Sequence, residues 1–123
     1  MTDTRFPVDI WLRGDHTATT RHISGIEREP AAWTDDDVRA MLEGMLYEMH
    51  RLKHPESAEP YVALRSLSWI VNPFDEGGVV VAIEISLGAA IAGPFTIDQA
   101  ALEGMIVQVL AHARAGGSSS TVH

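Results

Sequence analysis

The sequence predicts an α+β domain: a ββαββα chain forming a four-stranded antiparallel sheet with two helices packed on one face. Three observations carry this expectation. Alternating apolar residues mark strands at Phe6 to Leu12 and again from Val79 onward. Two segments carry apolar residues at three-to-four spacing, the pattern of helices with one buried stripe. The tetrapeptide Leu-Glu-Gly-Met stands at 42–45 and again at 102–105, in the same part of each helical segment. The repeat, with the shared element order, raises an internal ββα duplication; similar helices reusing similar residues is an equal alternative.

Phe6, Val8, Ile10 and Leu12 point one way along the first strand, and Pro7, Asp9, Trp11 and Arg13 the other. Gly14-Asp15 then signals a hairpin turn. A Thr-rich second strand is expected over about Thr17 to Glu27. Its weak apolar pattern suits a sheet edge or a bulge near Gly25.

Thr34 opens the first helix as a cap, and Asp35, Asp36 and Asp37 fill its first turn, where the helix dipole favours negative charge. Val38, Met41, Leu42, Met45, Leu46, Met49 and Leu52 form the buried stripe, and Pro55 stops the helix. A third strand is expected over Tyr61 to Val71, with Leu67, Trp69 and Val71 on one face and Val62, Leu64, Ser66, Ser68 and Ile70 on the other. After a turn at Asn72 to Gly78, a single long fourth strand is expected from Val79 to about Ala92. Thr96 and Gln99 match the capping box of a second helix. That helix buries Leu102, Met105, Ile106, Val109, Leu110 and Ala113 and ends at Gly116-Gly117. Residues 1–117 make one domain and 118–123 a disordered tail.

On an uninterrupted fourth strand, Val79, Val81, Ile83, Ile85, Leu87, Ala89 and Ile91 would meet the helices. Each large branched side chain among them would stabilise the fold by about 1.5–3 kcal/mol when fully buried. Val80, Ala82, Glu84, Ser86, Gly88, Ala90 and Ala92 would form the open face. That set is small and nearly uncharged, whereas a solvated sheet face normally carries long polar side chains. Small residues invite close approach by something else. On the first strand the same face carries Trp11 beside Arg13, a pair of types that dominates binding hot spots. The candidate binding surface is therefore Trp11, Arg13, His22, Ala82, Glu84 and Ser86.

Composition narrows the function. The chain has 123 residues, a formal net charge of −8, one lysine and eight scattered arginines, which argues against nucleic acid, whose phosphates need clustered cations. No apolar run is long enough for a membrane span. With no cysteine and no signal-like N-terminus, a cytoplasmic protein without disulfides is expected.

Other motifs read more simply as structure. Arg13-Gly14-Asp15 spells an integrin-binding tripeptide but sits where a hairpin turn is needed. His50 and His54 have a spacing that can share a metal, yet Arg51 and Lys53 oppose a cation there, and a histidine at a helix C-terminus interacts favourably with the dipole. The three aspartates at 35–37 cap a helix and lack the spaced ligands of a calcium loop. No nucleophile with a base and an orienting partner is visible. No metal and no cofactor is expected. The leading expectation is a small, acidic, non-catalytic binding protein, working as a homo-oligomer or as an inhibitor or immunity-type partner of another protein. The alternative is a small-molecule binder or enzyme with a pocket over the open face, lined by Trp11, Arg13, His22 and Glu84.

Overall fold

The computed structural model describes residues 5–56, 64 and 67–120, with side chains through residue 113. The chain is α+β with an antiparallel sheet and two long helices. Among the described residues the sheet has five strands: β1 (Phe6–Leu12), β2 (Thr19–Ile23), β3 (Ser68–Pro73), β4 (Val79–Ile85) and β5 (Gly88–Phe95). The helices are α1 (Asp35–Lys53) and α2 (Gln99–Ser120), and a 3-10 turn over Pro30–Ala32 precedes α1. The strand order is β2-β1-β5-β4-β3, and every neighbouring pair is antiparallel.

The fifth strand corrects the expected ββαββα order. The segment expected as one long strand folds back on itself at Ser86-Leu87, and β5 inserts between β4 and β1. Gly88 explains why the reversal fits here. It packs against the end of β1, where a Cβ would overlap the Trp11 carbonyl oxygen and lie 2.8 Å from Leu12 Cα. Only a glycine admits so close a backbone approach.

The hairpin also exchanges faces. β4 keeps the expected alternation, with Val79, Val81 and Ile83 buried. Beyond the turn the parity reverses: Ala90 and Ala92 are fully buried against the helices, while Ala89 and Ile91 lie on the open face. The register agrees, since Ala90 pairs with Ile83 and Ile10, whereas Ile91 pairs with Ala82 and Asp9. The expected placement of Ala90 and Ala92 on the open face, and of Ala89 and Ile91 in the core, is thus inverted.

Other boundaries move for local reasons. β2 is shorter than expected, ending at Ile23, with Gly25 at φ 101 just beyond it, and it does lie at an edge. β3 starts at Ser68; the expected strand residues 61–63, 65 and 66 fall outside the described residues, and Leu64 is buried but not in the strand. Helix α2 continues through Gly116-Gly117 to Ser120. Glycine costs a helix about 1 kcal/mol relative to alanine, which weakens it without the steric block a proline imposes.

One apolar cluster joins the inner sheet face to both helices. Val8, Ile10, Val71, Val81, Ile83, Ala90 and Ala92 meet Met41, Leu42, Met45, Met49, Leu102 and Ile106. Phe6, Trp33 and Phe95 close one end, with ring centroids 4.9–6.3 Å apart. Of the two Leu-Glu-Gly-Met copies, Met45 is fully buried, but Met105 is only half-buried. The two halves also differ at their tryptophans: Trp11 is on the open face and Trp69 packs against the core.

The caps differ too. Thr34 caps α1 as expected, in a reciprocal box with Asp37. For α2 the cap is Asp98, whose Oδ2 accepts from the Ala101 N–H at 3.0 Å, in place of the expected Thr96. Gln99 instead donates to the Val71 carbonyl at 3.0 Å, tying the start of α2 to β3.

Asp37 gives the fold a measurable acid sensitivity. Burial alone would raise its carboxyl, but hydrogen bonds from the Thr34 backbone and from Arg28 outweigh this and hold it below its ordinary 3.8. Arg28 Nε lies 2.9 Å from Asp37 Oδ2. A depressed folded value means this stabilisation is present above about pH 4 and is lost as pH falls through the folded value. Thr34→Ala is expected to cost about 1 kcal/mol. Asp37→Asn is expected to flatten the acid limb of a melting-temperature profile below pH 4; an unchanged limb would show that other carboxylates carry it.

Candidate functional site

The open face can be laid out from the register. One row across the sheet reads Trp11, Ala89, Glu84, Ser68. The next reads Thr20, Asp9, Ile91, Ala82, Ile70. His22 and Pro7 pair further along at the β2 edge, and Val80 and Asn72 pair on the same face toward the β3 edge. Ile70 is 52% exposed and Ile91 37%, and between them Ala82 leaves a depression. The resulting groove has a volume of about 320 Å³ and is lined by Ser68, Ile70, Ala82, Glu84, Ala89 and Ile91 together with Trp69 and Ile83.

The groove follows from side-chain size. β5 and β4 put alanines at its floor, and β3 and β5 put isoleucines at its walls. Glu84 stands at one side, exposed, and among the described residues no hydrogen bond or ion pair engages it. Asp9 accepts a 2.6 Å hydrogen bond from the Thr20 hydroxyl, which fixes its carboxylate over β2.

The sequence-derived residues separate into three places. Trp11, Ala82 and Glu84 share the open face, with Trp11 and Glu84 both neighbours of Ala89. Arg13 lies just beyond β1: its Nε donates to the Ser86 carbonyl at 2.9 Å, and its backbone N–H donates to the Leu87 carbonyl at 2.9 Å. Arg13 and Ser86 therefore close the β4–β5 turn. His22 is on β2, across from Pro7 and in a different row from Glu84. Neither Trp11, Arg13 nor His22 lines the groove. Ile70, Ala89 and Ile91 are the surface residues that sequence reasoning missed. Ile70 was readable from its alternation with Val71, but Ala89 and Ile91 were hidden by the parity reversal.

The remaining motifs take structural places. Arg13-Gly14-Asp15 is a turn, with Gly14 at φ 96, the Asp15 N–H donating to the Leu12 carbonyl at 2.8 Å, and Asp15 Oδ2 accepting from the Leu12 N–H at 3.0 Å. His54 caps α1 through its backbone N–H to the His50 carbonyl at 2.8 Å. Among the described residues no three acidic, imidazole or thiol side chains gather as a metal site, and no helix is long and apolar enough to cross a membrane.

Comparison with known proteins gives no match: no protein-family model, no curated protein and no solved structure is significantly similar to the chain.

Proposed function

We propose that this chain is a small, acidic, non-catalytic binding protein whose working surface is the open sheet face, engaged in a homo-oligomer or in a complex with another protein. The observation that carries this reading is the apolar row Ile91, Ala82, Ile70 running across three strands with its large members exposed. An exposed apolar row that runs from β5 to the edge strand β3, with Asp9 and Glu84 beside it, has the mixture of apolar contact area and flanking polar groups found in protein interfaces. The separation of Trp11, Arg13 and His22 also weighs against one pocket built from all three.

Ala82→Lys is expected to abolish the contact, because a lysine would fill the depression between the two isoleucines and carry a charge into the buried centre. Light scattering gives the readout for self-association: a wild-type mass at a multiple of the chain, falling to one chain in the variant with an unchanged circular dichroism spectrum. A wild-type monomer would remove the homo-oligomeric form. A monomer that also shows no Ala82-dependent binding in the peptide experiment below would remove the reading altogether.

A further inference from the structure

The groove has a chemical polarity that narrows its occupant. Its floor and walls are apolar, and the ionised group it touches is the Glu84 carboxylate. The other ionisable side chains that the register sets on this face are Asp9, already bonded to Thr20, and His22 on the edge strand. Arg13, the nearest cation in register, is held on the Ser86 carbonyl, and no ion pair joins it to Glu84. The whole chain carries −8. A second copy would bring the same acidic surface against this one, whereas a basic partner meets it with opposite charge.

Dimensions agree with a single long cationic side chain. Glu84 is two residues along β4 from Ala82, about 7 Å, which is the reach of a lysine or arginine stem. A volume near 320 Å³ is at the lower end of ligand-sized clefts. Trp11 stands two strands from Glu84, about 10 Å, with only Ala89 between them. A guanidinium above Ala89 would have a carboxylate on one side and an indole on the other, the two groups that attract it most directly.

Resting on the contact-surface reading, we propose that the groove receives an arginine or lysine side chain from a basic protein partner, its stem between Ile70 and Ile91 and its cation between Glu84 and Trp11. The probe is the blocked tripeptide acetyl-Leu-Arg-Leu-amide, titrated into the full chain and followed by amide chemical shifts. Expected shifts centre on Ser68, Ile70, Ala82, Glu84, Ala89 and Ile91. Glu84→Gln is expected to weaken this peptide about fivefold, the upper range for an exposed ion pair, and to leave the weaker binding of acetyl-Leu-Gln-Leu-amide unchanged. Ala82→Lys is expected to remove both. Equal binding of the Arg and Gln peptides, or no effect of Glu84→Gln, would overturn the cationic occupant; the contact surface itself would survive if Ala82→Lys still abolished binding or lowered the native mass. Shifts centred on Asp35 to Asp37 would overturn it as unspecific attraction to acid, and tighter binding of free spermidine than of the peptide would point to a small polyamine in place of a protein.

Discussion

Gly88→Ala is expected to destabilise the protein strongly, with a cost of about 3 kcal/mol or more. The added methyl would run into the Trp11 carbonyl and Leu12 Cα, both backbone atoms of the neighbouring strand. No rotamer change relieves such an overlap; β1 and β5 would have to separate where Leu12 pairs with Gly88. Chemical denaturation with a two-state fit gives the value. Gly104→Ala is the control, because a Cβ there meets nothing within 4 Å and the site lies inside α2. That control is expected to be neutral or slightly stabilising. A Gly88→Ala protein as stable as wild type would mean that the β4–β5 reversal lies elsewhere.

Met45→Ala is expected to cost about 2–5 kcal/mol, since the side chain is fully buried and its loss leaves a cavity between α1 and the sheet. Met105→Ala is expected to cost less, about 1 kcal/mol, because that side chain is half-buried at the margin of the core. Equal costs at the two sites would show that α2 is rotated relative to this description.

The helices and the first strand were legible because their signals are local. Thr34, the three aspartates and the stripe from Val38 to Met49 state a start, a polarity and a buried face within about five turns. Phe6, Val8 and Ile10 declare a strand by alternation alone. The β4–β5 turn was not legible in the same way. Residues 79–92 are nearly continuous in apolar character, and Ser86-Leu87-Gly88 lacks the Asn-Gly or Asp-Gly pair that marks a tight hairpin. Its decisive property, the contact of Gly88 with β1, is tertiary. The consequence reached the candidate site: Ala82, Glu84 and Ile70 precede the turn and kept their expected face, whereas Ala89, Ala90 and Ile91 follow it and exchanged theirs. The adjacency of Trp11 to Ala89, and of Ala89 to Glu84, required the strand order, which no single strand encodes.

The order β2-β1-β5-β4-β3 also imposes a schedule. Val8 must wait for Ala92, near the far end of the described strands, before its sheet partner on that side exists. Until then the β1–β2 hairpin and α1 can form only a fragment with an unpaired strand edge, and such edges recruit other chains. Insertion of β5 both completes the hydrogen bonding of β1 and joins it to the β3–β4 pair. It completes the sheet, leaving α2 to dock, and as a pairing between distant parts of the chain it is expected to be slow. A growing or partly unfolded chain is therefore most exposed to aggregation in the interval before Gly88 to Phe95 reaches its slot.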